Sequence, residues 1–193
     1  MEELNSLTDE QVAKKVQQGD VESFGILVER YEAKMLRYAR RFLFTDTAED
    51  MAQEVFLKVY QNIKSYNPQM RFNPWIYRIA HNEFINKIKK NGREELSFFD
   101  PDTLFPHPVS SDNPEKDTDR ELTKKMLDKY LDKIGVKYRE VLVLNYLEEL
   151  SYKEIADVLK IPVSTVGVRI KRAKEAIQKV SKLFMEETYG RPN

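Results

Sequence analysis

The chain lacks cysteine and has only two histidines among its 193 residues. Disulfides and thiolate zinc sites are therefore excluded, and two histidines are too few for a metal centre built on imidazole ligands. No apolar run approaches the roughly 18 residues that a membrane-spanning helix requires. The N-terminus, MEELNSLTDE, is acidic where a signal peptide would be basic and then apolar. We therefore expect a cytoplasmic protein with no metal, no cofactor and no membrane insertion of its own.

The chain also lacks the sustained alternation of polar and apolar residues that marks a half-buried strand. Apolar residues recur instead at spacings of three and four, which predicts helices. Local signals predict where helices begin and end. They include a capping box of Thr8 and Gln11, a stop at Gly19, and Asn73 as a cap with Pro74 in the first helical position. The expected fold class is all-α.

The 32 basic and 32 acidic residues give a net charge of zero, but they are segregated along the chain. Lys and Arg are concentrated in residues 71–93 and 165–182. Residues 93–118 are acidic and contain four prolines without helical periodicity, which predicts an extended segment. The chain is therefore expected to form two helical domains, residues 8–92 and 119–185, joined by an extended acidic linker.

Residues 149–173, ELSYKEIADVLKIPVSTVGVRIKRA, give the most specific local signal. A capping box of Ser151 and Glu154 opens a short helix that ends before Pro162, and a basic second helix follows. This pattern is typical of a helix-turn-helix that places its second helix in the DNA major groove. The side chains expected to project towards DNA are Ser164, Gly167, Val168, Lys171 and Arg172. The alternative is a basic, solvated face on an ordinary helical bundle.

A second candidate site covers residues 66–82, YNPQMRFNPWIYRIAHN, where aromatic side chains are interleaved with Arg and Asn. Single-stranded nucleic acid is held by aromatic stacking together with cationic contacts to its backbone. A base flipped out of a duplex likewise needs a pocket with a stacking surface. The segment therefore predicts capture of a single strand or a flipped base. In the alternative interpretation, Trp75 and Tyr77 belong to the hydrophobic core.

Four polar side chains, Glu49, Asp50, Gln53 and Glu54, are predicted to share one helix face. A catalytic or metal-binding pair of carboxylates is conceivable, but no histidine or second acidic cluster supports it. A solvated or protein-binding face is the favoured interpretation. The chain has no glycine-rich phosphate loop, no nucleophile elbow and no Ser-His-Asp order, so it is not expected to be an enzyme.

Four segments in order resemble the conserved motifs of the extracytoplasmic-function (ECF) sigma factors, the group IV members of the sigma-70 family in bacteria. They are GDVESFGILVERY (19–31), AEDMAQEVFLKVY (48–60), FNPWIYRIAHN (72–82) and YREVLVLNYLEELSYKEIADVLKIPVSTVGVRIKRAKEAI (138–177). Each motif alone is moderately specific, whereas all four in this order, with an acidic linker between them, are highly specific.

The resemblance implies a sigma subunit that directs core RNA polymerase to promoter DNA. The first domain would bind the clamp helices of the β′ subunit through Asp50, Gln53 and Glu54. It would also capture the −10 non-template strand, with contacts expected from Tyr66, Asn67, Phe72, Trp75, Arg78 and Asn82. The second domain would contact the β flap and read the −35 duplex, with contacts expected from Ser164, Thr165, Arg169, Lys171 and Arg172. An anti-sigma factor is a further expected partner.

The chain departs from the family pattern where Gly167 and Val168 replace the usual Lys or Arg followed by Ser or Thr. The glycine removes a cationic side chain, which shifts the expected −35 contacts towards Lys171 and Arg172, and it weakens the helix by about 1 kcal/mol relative to Ala. The runner-up function is a helix-turn-helix regulator that binds operator DNA without core polymerase. This function would not explain the motifs in residues 48–82. A helical scaffold, the third class, would show no DNA selectivity.

Overall fold

A computed structural model describes residues 6–43, 47–90 and 130–189. Every regular element in these residues is helical, and the chain divides into two compact units, residues 1–95 and 96–193. The α-helices are α1 (Asp9–Gln17), α2 (Phe24–Leu43), α3 (Ala48–Asn62), α4 (Phe72–Lys90), α5 (Val136–Leu142), α6 (Tyr152–Leu159) and α7 (Val163–Tyr189). The predicted all-α fold is confirmed. The predicted linker, residues 93–118, and the start of the second predicted domain lie outside the described residues.

The first unit is built around α2, which packs against α1, α3 and α4. Tyr38 of α2 meets Tyr77 and Phe84 of α4, with ring centroids 5.1 and 5.2 Å apart. Aromatic pairs at such distances contribute about 0.5–1.5 kcal/mol each beyond the burial of their area. Tyr77 has no exposed surface, so the core interpretation is correct for this residue. The aromatic core fixes how α4 lies on α2.

Helix α1 begins and ends where its local signals predict. The Thr8 hydroxyl accepts a hydrogen bond from the Gln11 N–H at 3.3 Å, and the Thr8 N–H donates to the Gln11 side chain at 2.8 Å. This geometry confirms the capping box. Gly19 follows the helix with a φ of +102°, a conformation that glycine adopts without the steric cost that a Cβ atom imposes.

The predicted cap of α4 was wrong. The helix begins at Phe72, so Asn73 and Pro74 lie inside its first turn instead of at the cap and the first helical position. The Phe72 N–H donates to Glu10 Oε1 at 3.0 Å, so an oxygen from α1 satisfies a donor at this helix start. A carboxylate here also interacts favourably with the helix dipole. A tertiary contact therefore takes the place of the local signal.

In the second unit, α7 packs against both α5 and α6. Helix α5 continues into a five-residue π-helical turn, Val143–Leu147. The buried Arg139 donates from Nε to the Leu131 carbonyl and from Nη2 to the Ile134 carbonyl, each at 3.0 Å. Because these two bonds satisfy carbonyls of the segment that precedes α5, Arg139 fixes the path by which the chain enters the helix.

Candidate nucleic-acid interface

The helix-turn-helix predicted in residues 149–173 is present. The Ser151 hydroxyl accepts from the Glu154 N–H at 3.3 Å, and the Ser151 N–H donates to Glu154 Oε2 at 2.8 Å, so α6 opens on the predicted capping box. Lys160 ends α6 in the left-handed conformation, with a φ of +56°, and α7 begins at Val163. This tight turn is the connection that a helix-turn-helix needs to present its second helix to DNA.

The candidate −35 contacts on α7 divide into two groups. Ser164, Lys171 and Arg172 keep exposed surface. Thr165 has no exposed surface and Arg169 has only 9%, so the structure does not offer these two side chains to DNA. Helix α7 packs against both α5 and α6, and this packing buries part of its surface. The position of a residue within the helix-turn-helix motif does not show which side chains are buried in this way.

The prediction that Gly167 and Val168 project outward was also wrong, because both residues are buried. The core-facing stripe of α7 consists of Val166, Ile170, Ala173 and Ile177, all with 2% exposure or less. Gly167 and Val168 flank this stripe. The buried face of α7 is therefore wider than the sequence pattern predicted.

The three aromatic side chains predicted to meet the −10 strand form one cluster, which we call the aromatic cluster (Tyr66, Phe72 and Trp75). The Trp75 ring centroid lies 5.0 Å from that of Tyr66 and 5.5 Å from that of Phe72. The Tyr66 and Phe72 centroids are 5.3 Å apart, and Phe72 also meets Tyr31 of α2 at 5.4 Å. The cluster is therefore continuous with the core of the first unit.

Only Trp75 in the aromatic cluster is partly exposed; Phe72 has no exposed surface and Tyr66 has 4%. The prediction that Phe72 and Tyr66 contact DNA directly therefore disagrees with the structure. Phe72 is enclosed by the neighbouring rings, and the Tyr66 hydroxyl donates to the Met70 carbonyl. Burial raises the pKa of the Tyr66 hydroxyl well above its usual range, so it keeps the proton that it donates. These two residues support Trp75.

The turn that joins Tyr66 to Phe72 exposes polar and apolar side chains. The Gln69 N–H donates to Asn67 Oδ1 and the Met70 N–H to the Asn67 carbonyl, both at 3.0 Å. Asn67 is exposed, and Met70 is 63% exposed. Sequence reasoning missed Met70, although turns that open on Asn-Pro usually lie on the surface. The turn adds an adaptable apolar side chain to the candidate site.

A polar face of α4 extends from the aromatic cluster. Trp75, Arg78 and Asn82 follow one another at spacings of three and four, so they lie on one side of the helix. Arg78 is half-buried and Asn82 is exposed. The same spacing continues to Asn86 and Lys89, about 21 Å along the axis from Trp75 at the helical rise of about 1.5 Å per residue. A face of this length can follow several nucleotides of an extended strand.

A third surface lies between α2 and α3. A groove of about 480 Å³, which we call the apolar groove, is lined mainly by apolar side chains of both helices and includes Gln53. Two of its side chains, Leu57 and Tyr60, are 56% and 42% exposed. Asp50 is exposed and Glu54 is half-buried on the same helix, α3. The predicted polymerase-binding residues therefore share a helix with an exposed apolar surface.

Two carboxylates of α3, those of Glu49 and Glu54, lie close to basic side chains. Arg40 Nη2 lies 2.6 Å from Glu49 Oε1, and this hydrogen bond holds the pKa of Glu49 below its usual range. Lys58 Nζ lies 3.8 Å from Glu54 Oε1. Among the residues that the structure describes, no group of three His, Cys, Asp or Glu side chains is placed to hold a metal ion. None of the described helices is both long and apolar enough to cross a membrane.

Comparison with known proteins decides the family. Residues 27–94 match the family model for Sigma-70 region 2, and residues 124–177 match the model for Sigma-70, region 4. The chain is 37% identical over 174 residues to the ECF RNA polymerase sigma factor SigW of Bacillus subtilis (strain 168), with 86% of this chain and 92% of that protein covered. The chain belongs to the ECF sigma factors. It is also 33% identical over 178 residues to the ECF RNA polymerase sigma-E factor of Escherichia coli (strain K12), with coverage of 89% and 93%.

Solved structures show the same fold for this sigma factor. CnrH, in complex with the cytosolic domain of CnrY, has a TM-score of 0.65 at 23% identity and covers 91% of this chain and 97% of its own. The sigma factor RpoE from Bartonella quintana, in complex with the anti-sigma factor NepR, has a TM-score of 0.60 at 21% identity and covers 82% and 96%. The resemblance drawn from four motifs is confirmed, and the operator-binding regulator is not favoured. Sigma factors are transcription initiation factors, and this one is a sigma subunit of RNA polymerase.

Proposed function

We propose that this sigma factor holds the opened −10 non-template strand along α4 and reads the −35 duplex with the start of α7. The observation that carries the proposal is the half-buried Trp75, which packs against two buried rings and heads a polar helix face. An unpaired base can stack on such a ring, whereas a base inside a duplex cannot reach it. The site therefore favours the opened promoter over the closed one.

Duplex contacts set the register in this mechanism. Lys171 and Arg172 neutralise phosphates or reach base edges in the major groove, and Ser164 donates to phosphate or base oxygens. Phosphate contacts position the protein without sequence information, while an arginine that pairs with a guanine edge selects the base. The −35 contacts thereby bring the first unit to the −10 element.

Strand capture follows when the −10 duplex opens. One flipped base stacks on Trp75, Asn67 and Met70 border it, and Arg78 and Asn82 contact the strand that continues along α4. Each stacked base contributes about 1–3 kcal/mol. Because this contribution exists only in the opened state, it shifts the equilibrium towards strand separation.

We assign the apolar groove, with Asp50, Gln53 and Glu54, to the β′ clamp helices of the polymerase. Exposed apolar patches are typical of protein interaction sites, and polar residues at the edge of such a patch fix the orientation of the partner. Contact with the β flap belongs to the second unit. In this division of labour the polymerase supplies most of the affinity for DNA, and the sigma factor supplies selection.

An anti-sigma factor is proposed as a second partner, and the complex of the sigma factor RpoE with the anti-sigma factor NepR supports it. A protein that occupied the apolar groove would compete with the polymerase. The sigma factor would work in the cytoplasm, where the polymerase transcribes, and would bring no catalytic residue or cofactor of its own to the reaction.

Reconstituted transcription tests the proposal. Core polymerase is incubated with the chain and a library of random promoters, and a promoter that yields defined transcripts is kept. On this promoter Trp75→Ala should destabilise the open complex by about one to two decades, while closed complexes form normally. Trp75→Phe, which keeps a stacking ring, is the matched control and should restore most of the loss. Failure of the chain to associate with core polymerase, or equal DNA selectivity without it, would contradict the proposal.

A further inference from the structure

Helix α1 lies outside residues 27–94, which match Sigma-70 region 2, yet it contacts both ends of the turn next to Trp75. At one end, Gln17 Nε2 donates to the carbonyls of Ile63 and Tyr66, both at 2.7 Å. At the other end, Glu10 Oε1 accepts from the Phe72 N–H at 3.0 Å. A single helix of nine residues thus holds the chain on either side of residues 67–71.

The contacts of Gln17 use its whole donor capacity. A glutamine amide nitrogen has two N–H groups, and each one here meets a separate carbonyl. These bonds are partly buried, so a carboxylate in place of the amide would remove the donation to the Tyr66 carbonyl, leave the Ile63 carbonyl with the Tyr66 N–H at 3.1 Å, and place a negative charge beside both carbonyls. Donation by Gln17 therefore ties the chain on this side of the turn to α1.

Helix α1 is itself anchored to the core beneath the aromatic cluster. Asp9 accepts from the Tyr31 hydroxyl and from Arg30 Nη1, each at 2.7 Å. The Tyr31 ring meets Phe72, which meets Trp75. In contrast, the hydrogen bonds inside the turn are local and do not fix its position on the unit.

We propose that α1 is the positioning element of the −10 capture site, with Gln17 and Glu10 as positioning residues that hold Tyr66 and Phe72 where they support Trp75. The inference rests on the proposed function of this turn in strand capture. Holding the cluster in place before DNA arrives lowers the ordering cost of binding, because less of the site has to be fixed by the ligand.

Two pairs of matched variants test the proposal in the full chain. Gln17→Glu removes both donors, and Gln18→Glu makes the same charge change at the exposed neighbouring residue. Gln17→Lys keeps donors at similar length, with Gln18→Lys as its charge control. Each variant is reconstituted with core polymerase, and its affinity is measured for a −10 non-template strand and for a duplex that carries only the −35 element.

Gln17→Glu is expected to weaken −10 strand binding about tenfold relative to Gln18→Glu, with unchanged affinity for core polymerase and for the −35 duplex. A tenfold loss corresponds to about 1.4 kcal/mol. Gln17→Lys should recover most of that loss. Trp75 is the only tryptophan of the chain, so its emission gives an independent signal in the protein without polymerase. Gln17→Glu should shift this emission and increase its quenching by acrylamide, and Gln18→Glu should not.

Equal −10 affinities for Gln17→Glu and Gln18→Glu would overturn the inference. An equally large loss of affinity of Gln17→Glu for core polymerase and for the −35 duplex would also overturn it, because that result would show a general effect on the fold and not a role at the −10 site. Trp75→Ala in the same assay separates the two proposals. If Trp75→Ala weakens −10 binding and Gln17→Glu does not, only the role of α1 fails. If Trp75→Ala has no effect, the proposed capture function fails.

Discussion

Replacement of Phe72 by leucine distinguishes a residue that supports the −10 site from one that contacts DNA. Phe72 has no exposed surface, and its ring meets Tyr31, Tyr66 and Trp75 at centroid distances of 5.3–5.5 Å. Each aromatic pair contributes about 0.5–1.5 kcal/mol beyond area burial, so the three pairs together contribute about 1.5–4.5 kcal/mol. Leucine keeps much of the apolar area. We expect Phe72→Leu to lower the free energy of unfolding of the first unit by about 2 kcal/mol, a large share of the roughly 5–15 kcal/mol that stabilises a domain.

Urea unfolding followed by tryptophan emission measures this change, because Trp75 lies in the first unit and is the only tryptophan. Met70→Ala is the control variant. Its side chain is 63% exposed, so the substitution should change the unfolding free energy by less than about 0.5 kcal/mol while it weakens −10 strand binding. If Phe72→Leu weakened −10 binding without loss of stability, Phe72 would be a direct contact and our assignment of a supporting role would be wrong.

Three further results are expected. Lys171→Gln should reduce by about 1 the slope of log affinity against log salt for the −35 duplex, and Lys182→Gln, near the far end of α7, should leave that slope unchanged. Lys160→Gly should raise the stability of the second unit by about 1 kcal/mol in urea unfolding followed by circular dichroism, because Lys160 has a φ of +56° and glycine adopts this conformation without strain. A lower stability would contradict that reason. Hydrogen bonds from Ser23 hold the pKa of Asp20 below its ordinary value of 3.8. The Asp20 carboxylate therefore stabilises the fold at pH values above its pKa in the unfolded chain. This contribution is lost as the pH falls through the pKa of Asp20 in the folded protein. The stability difference between wild type and Asp20→Asn, measured by thermal unfolding, should therefore be constant from about pH 7 to 5 and vanish in stronger acid; a difference that grew in acid would refute the assignment.

Local sequence signals predicted the helix boundaries that local contacts determine. The capping boxes at Thr8 and Ser151 and the stop at Gly19 all involve residues within a few positions of one another, and all are present. The predicted cap at Asn73 failed because the helix begins at Phe72, whose N–H donates to Glu10, 62 residues earlier in the chain than Phe72. No pattern within one helix contains that information.

The candidate site could be located from the sequence, but the exposure of its side chains could not. Motif resemblance assigned residues within 66–82 and at the start of α7 to DNA binding, and it included Phe72 and Thr165 among the expected contacts. Packing decides otherwise for Phe72 and Thr165, neither of which has exposed surface. Exposure depends on neighbours from other helices, such as Tyr31 for Phe72.

The neutral charge of the chain fits a subunit that selects DNA without holding it tightly. With 32 residues of each sign, phosphate attraction gives the free protein little non-specific affinity, because that affinity grows with the number of phosphates neutralised. The contacts that we propose, all among the residues that the structure describes, are few: a partly exposed tryptophan, a short turn, one polar helix face and three side chains on α7. Such a set discriminates between sequences only after another protein has placed the chain on DNA. The apolar groove on α2 and α3 offers a surface for that protein, and DNA selectivity should therefore emerge only in the assembled polymerase.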